Sequence, residues 1–196
     1  NEDKVAGPAL AGVGAAAVDF QMGTGRMPMA APGVQAPRTD EIKFSDEQIA
    51  AIGAYIASLS PGPEVPSDEA VDPTKGDPAR GGELFRVNCA MCHNFAGAGG
   101  ALTRGKYAPA LQDVSDKHIY EAMTTGPQSM PVFGDSNLSA ESKRDIIAFL
   151  NTIEDQPKQG GLTLGSLGPV SEGLFAWVFG LGLLVACAVW LGSKSA

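Results

Sequence analysis

The chain of 196 residues holds no cluster of lysine or arginine: 14 basic residues stand against 22 acidic ones, a net charge of −8. Without a basic stripe there is no electrostatic footprint for phosphate, so nucleic acid is excluded as a partner. Cysteine and histidine are scarce, three and two. The opening residues Asn1-Glu2-Asp3-Lys4 and the Gly/Ala-rich stretch after them lack the basic flank and cleavage pattern of a secretory leader, and none is expected there. Glycine and proline, at 25 and 14, are plentiful. They predict much loop and linker, which suits a small fold that wraps an apolar cofactor it could not replace with its own core.

Two of the three cysteines stand in Cys89-Ala90-Met91-Cys92-His93. A CxxCH run reads as a covalent c-type haem attachment site. The spacing lets two thiols reach the two vinyl groups on one porphyrin edge, and the adjacent imidazole then becomes the proximal iron ligand. A zinc site would need a second ligand pair, and only Cys187 and His118 remain, neither suitably placed. A thioredoxin-like dithiol would need a βαβ setting, which the sequence does not show. Cys187 itself lies in the most hydrophobic stretch and reads as a small buried hydrophobe.

That stretch, Gly173 to Gly192, runs twenty residues without a charge. It is long enough to cross a hydrocarbon core of roughly 30 Å as a helix. Trp177 and Trp190 stand toward its ends, where indoles favour the interface. Lys194 follows the span and Glu172 precedes it, so the positive-inside rule places 193–196 in the cytoplasm and everything before Glu172 outside. Haem attachment demands the same side, because c-type maturation in bacteria takes place outside the cytoplasm.

The soluble part repeats itself. Gly7-Pro8-Ala9-Leu10 matches Ala108-Pro109-Ala110-Leu111, and Met22-Gly23-Thr24-Gly25 with Met27-Pro28 matches Met123-Thr124-Thr125-Gly126 with Met130-Pro131. The stretch from Phe44 to Leu59 matches that from Leu138 to Ile153. An offset of about a hundred residues is one domain length, so duplication is expected. Ser45 and Ser139 are N-cap candidates for the closing helices. Ile49, Ile52, Tyr55, Ile56 and Leu59 share one face of the first; Ile146, Phe149, Leu150 and Ile153 share one face of the second. A further helix is expected from Gly81 to Cys89, with Phe85 placed to meet Phe149 and Gly81 allowing a close crossing. Ser60 to Asp77, with four prolines, reads as a semi-rigid polar linker rather than a packed element. A second linker joins the last helix to the apolar span.

For the second axial position the candidates are His118, Met123 and Met130. Met130 is preferred, because Pro131 stiffens the loop that presents its thioether, and thioether ligation suits high-potential electron transfer. Met123 is expected to pack on the apolar face of its helix. His118 is expected to be solvated or capping, and Met91 cannot turn back onto the iron. Pro109 is placed to offer a carbonyl to His93 Nδ1.

Gly81-x3-Phe85-x3-Cys89-x2-Cys92-His93, Pro109-x-Leu111, Met130-Pro131 and the helix to Ile153 resemble, in order, class I cytochrome c. The resemblance covers about 79–153; residues 1–59 look like the back part of another such domain without its attachment motif. Two such domains followed by a C-terminal membrane helix resemble the dihaem cytochrome c subunit of the actinobacterial cytochrome bcc complex, a menaquinol–cytochrome c reductase. The resemblance implies an all-α fold of tandem class I domains: 1–59 as part of the first, 60–78 linker, 79–154 the second, 155–170 linker, 171–192 membrane helix and 193–196 tail. It implies haem c, two per complete protein, with Cys89 and Cys92 as attachment residues. His93 and Met130 then ligate one iron, Met27 the other, and Tyr107, Pro109 and Leu111 belong to the haem pocket. The implied partners are cytochrome b and the Rieske iron–sulfur subunit of the complex, an aa3-type oxidase and the lipid membrane. The implied role is electron-transfer subunit of an oxidoreductase, with no catalytic site of its own. A free-standing membrane-anchored shuttle is the alternative; a haem peroxidase or sensor would need an open sixth position, against which Met130 argues.

Overall fold

The computed structural model describes residues 7–155, 164 and 169–194. The first residues, most of the linker expected over 155–170 and the last two residues of the tail lie outside them. The fold is helical; its only strands among the described residues are the two-residue β1 (Gly100–Ala101) and β2 (Tyr107–Ala108), paired antiparallel.

The first half consists of α1 (Gly14–Gly23) and α2 (Asp46–Leu59). Ser45 accepts from the Gln48 amide while the Gln48 side chain accepts from the Ser45 amide, a reciprocal cap that starts α2. Ile49, Gly53 and Ile56 of α2 are buried, whereas Tyr55 and Leu59, expected on the same face, are exposed. Gly53 is the point of close approach: a Cβ there would touch Ala15 at 3.5 Å. Small residues on α1 thus replace the apolar stripe that would have announced a helix, and the sequence reading misses it for that reason.

In the second half, α4 (Pro78–Asn88) crosses α7 (Ala140–Asp155). Asp77 caps α4 through the Ala79 and Arg80 amides, and Pro78 occupies its first position. A Cβ on Gly81 would lie 1.8 Å from the Asp145 carbonyl oxygen, so glycine is what lets the helices meet. Phe85 then stacks against Phe149, ring centroids 5.4 Å apart. Phe85, Ile119, Met123, Leu138, Ile146, Ile147 and Leu150 form the core beneath, drawing in α6 (Asp116–Thr125).

The expected unpacked linker proves partly structured. Ser67 caps the short α3 (Asp68–Val71), and a 3₁₀ turn over Pro73–Lys75 follows. Gly76 abuts α7, where a Cβ would come within 2.8 Å of Ala148 Cβ. The cause is local capping by Ser67 and Asp72, each accepting from amides two or three residues on.

Helices α8 (Pro169–Phe175) and α9 (Gly182–Ser193) join through a π-helical stretch over Ala176–Leu181. Val170–Ser193, with mean hydropathy 2.4, is long and apolar enough to cross a membrane, and its side chains are not buried in the protein.

Candidate functional site

The helix α4 ends at Cys89, and one further turn, α5 (Ala90–His93), carries the rest of the CxxCH run. The amides of Cys92 and His93 both donate to the Cys89 carbonyl, at 3.1 and 2.9 Å. Asn94, at φ +66°, ends the turn. Burial, then the neighbouring Cys92, pushes the Cys89 thiol up to about 12. It is therefore no thiolate at neutral pH, which argues against a redox dithiol.

His93 is buried, and its Nδ1 lies 2.9 Å from the Pro109 carbonyl oxygen. That carbonyl can only accept, so Nδ1 carries the proton and Nε2 keeps its lone pair. Burial lowers the imidazole pKa and the Pro109 bond offsets part of it; the neutral ring is the metal-binding form. Two glycines hold this geometry. Gly97 at φ +71° receives the Leu111 amide at 2.8 Å, and a Cβ on Gly99 would strike the Ala108 carbonyl at 2.6 Å.

The opposite wall comes from α6 and the loop after it. Gly126 ends α6 in the left-handed region at φ +59°, where any Cβ would meet the Met130 carbonyl and the Val132 amide within 3.0 Å. The loop folds back and is pinned by Phe133 N–H to the Met123 carbonyl at 2.8 Å. Met130 is half-buried against the core.

Between these walls lies a cavity of about 550 Å³. Cys89, Cys92, His93, Tyr107, Pro109, Leu111 and Met130 all line it, so the structure brings together every predicted site residue of the second half. Met27 is not among the lining residues and is 44% exposed. Met123 is buried in the core as expected, and Met91 borders the cavity but is 87% exposed.

Comparison with known proteins bears on this arrangement. Residues 76–150 match the family model of "Cytochrome C oxidase, cbb3-type, subunit III". The cytochrome bc1 complex cytochrome c subunit of Corynebacterium efficiens is 48% identical over 203 residues, covering 96% of this chain and 68% of that protein. That of Corynebacterium diphtheriae is 46% identical, covering 96% and 72%. That of Mycobacterium leprae is 47% identical, covering 96% and 67%.

The chain belongs to the family of cytochrome bc1 complex cytochrome c subunits.

A cytochrome c family implies haem c, and the cavity of this cytochrome c subunit suits it. Its volume is in the range of cofactor pockets, two thiols sit on one wall, and a neutral imidazole and a thioether also line it.

Sequence reasoning missed that the first half of this cytochrome c subunit lines the same cavity. Phe20, Thr24, Arg26, Gln35, Arg38 and Ile42 all reach it. No pattern signals this, because the two halves meet only in space. His118, expected to be solvated or capping, is partly buried: it packs edge-on to Phe20 at 6.2 Å, with its Nε2 against Gly23. Nearby, Lys117 pairs with Asp19 at 2.7 Å, joining α6 to α1. Burial would raise the Asp19 pKa, but contacts with His118 and Lys117 hold it well below the usual range. Glu121 beside it is fully buried without a well-formed hydrogen bond to either oxygen, and burial, then the Asp19 charge, pushes it up to about 9.

Proposed function

We propose that this chain carries electrons through haem c attached at Cys89 and Cys92, with His93 and Met130 as axial ligands, as a subunit of a menaquinol-oxidising complex. The observation that carries the reading is that the CxxCH turn, the carbonyl-oriented His93 and Met130 line one cavity. Bound there, haem supplies a one-electron iron couple. The chain's own residues set its conditions. Pro109 fixes the His93 ring, and Phe85, Ile146 and Leu150 keep water from that wall, which disfavours extra positive charge on the oxidised form. Met130 adds a thioether, which favours the reduced state further.

The donor in this reading is the Rieske centre next to cytochrome b, and the acceptor is the copper centre of an aa3-type oxidase. The apolar C-terminal helix anchors the subunit, with the haem domain on the extracytoplasmic side and residues 193–196 in the cytoplasm. Met27 is the ligand of another haem whose attachment motif lies in a portion of the protein before Asn1. The relatives are longer than this chain, which leaves room for such a portion. Pyridine haemochrome analysis of the complete protein is expected to give two haems per polypeptide; a count of one removes Met27 from the ligand set.

The direct test is at Met130. Met130→Ala should abolish the thioether–iron absorbance band at the red end of the ferric spectrum, and Met130→His should lower the midpoint potential while keeping covalent haem. An unchanged spectrum and potential in both variants sinks the axial assignment.

A further inference from the structure

Among the described residues, the only arginine or lysine side chains lining the cavity are Arg26 and Arg38, and both belong to the first half of the chain. Neither pairs with a carboxylate among the described residues. Asp40 and Asp113 border the same cavity, yet neither carboxylate comes within ion-pair distance of them. Arg26 instead lies over the Phe20 ring, 4.8 Å from its centroid. Arg38 spends one Nη2 proton on the Asp113 backbone carbonyl at 2.6 Å and has four N–H donors left. Burial, and then the charge of Arg38, lowers the Arg26 pKa, so the two guanidinium groups repel each other across shared space. Arg26 is partly buried and Arg38 exposed at the rim, and two guanidinium groups brought together at an apolar cavity without a carboxylate partner, in a chain of net charge −8, favour an anion beside them.

They are also held in place. Gln35 Nε2 donates to the Tyr107 carbonyl at 2.8 Å and its Oε1 accepts from the Tyr107 amide at 2.9 Å, bridging residues 72 apart. Gln128 does the same for Ala36, at 2.9 and 3.1 Å across 92 residues. These two reciprocal amide clamps, with the Arg38 bond, fasten the segment 35–38 of the first half onto the loops that carry Pro109 and Met130. Arg38 is thus presented by a fixed backbone, and Arg26 is positioned by its contact with the Phe20 ring, an arrangement suited to recognition of a carboxylate.

We infer that Arg26 and Arg38 form a carboxylate-binding subsite, contributed by the first half of the chain, that holds the propionate side chains of the haem attached in the second half. The inference rests on haem attachment at Cys89 and Cys92. Haem brings two carboxylates into a cavity that offers no other lysine or arginine among the described residues, and the two guanidinium groups match them in number and charge. The first half is then part of the second haem's site. Its positive charge stabilises the propionates and, through space, the ferrous over the ferric state.

The test uses the complete protein in its native membrane complex, with Arg26→Gln and Arg38→Gln singly and together and the corresponding Arg→Lys variants. Covalent haem is counted by pyridine haemochrome, and the midpoint potential is read by redox titration. The double Gln variant should keep its haem and shift the reduced-to-oxidised ratio at fixed potential roughly tenfold toward ferric, about 59 mV for a one-electron couple. Lys variants should recover at least half of the shift, because they keep the charge. Loss of haem in the Gln variants with retention in the Lys variants supports the subsite as well. A double Gln variant with full haem and a wild-type potential overturns it, as do equal shifts in the Gln and Lys forms. Wild-type protein without covalent haem would instead refute the attachment reading on which the subsite depends.

Discussion

Glu121 is a carboxyl group sealed into the contact between α1 and α6, beside the ionised Asp19. Its ordinary pKa of 4.5 rises to about 9, so between these values the folded chain holds a proton that the unfolded chain releases. The stabilisation linked to that proton is complete below about pH 4.5 and is lost as pH rises through about 9, with a slope of at most ~1.4 kcal/mol per pH unit. Asp19 acts in the opposite sense: its depressed value contributes stability above its ordinary 3.8 that disappears as pH falls. Glu121→Gln keeps the shape and removes the titration. Melting temperature measured from about pH 5 to about pH 9 should fall for the wild type and stay nearly flat for the variant. Parallel declines would assign the pH dependence to another group. A buried acid of this kind leaves no trace in the sequence, where Glu121 looks like an ordinary polar position on an amphipathic helix. The residues of the proposed haem site that line the cavity are legible in the sequence because the chemistry assigned to them demands a fixed local spacing, as in CxxCH, or a proline that fixes the backbone, as at Pro109 and Met130-Pro131. Arg26 and Arg38 were not, since what defines them is the absence of a partner across a cavity.

At the scale of elements, the crossing of α4 over α7 sets the position of the attachment turn. Asp145, buried on α7, accepts from the Asp77 amide at 2.8 Å and from Arg80, while its carbonyl lies against Gly81. One residue of α7 therefore fixes both the start of α4 and the distance between the helices. Gly81→Ala places a methyl against backbone, where no rotamer change relieves it, and the helices must part. Overpacking of this kind costs ~1–3 kcal/mol or more. Thermal unfolding followed by circular dichroism should show a clearly lowered midpoint, together with reduced covalent haem because Cys89 and His93 shift with α4. A wild-type melting curve would show that the crossing is softer than its contacts indicate. This crossing was legible, since Gly81, Phe85 and Phe149 carry a helical spacing with a small residue at the contact. Helix α1 and the short helix α3 were not. Gly14-Ala15-Ala16-Ala17 has no apolar period, and the Ser67 and Asp72 caps lie among prolines and acids that read as linker.

At the scale of the whole molecule, the arrangement favours fixed placement over recruitment. A net charge of −8 and no basic cluster leave nothing with which to attract an acidic soluble carrier over distance. Long-range steering is also screened beyond a Debye length of about 8 Å at physiological ionic strength. What the chain has instead is an apolar C-terminal helix and a first half clamped onto the second by paired amides. In the proposed reading such a subunit has its donor and acceptor beside it and needs no diffusive encounter. Quinol-to-oxygen turnover by the detergent-solubilised complex with its oxidase should then change little as salt is raised, and should need no added soluble cytochrome c. The subunit assigned to fixed transfer must also remain with the complex at high salt, which native electrophoresis with haem staining reads directly. A steep fall in rate with ionic strength, or full dependence on an added carrier, would favour a free-standing membrane-anchored shuttle, because only encounter between separate partners is slowed by screening.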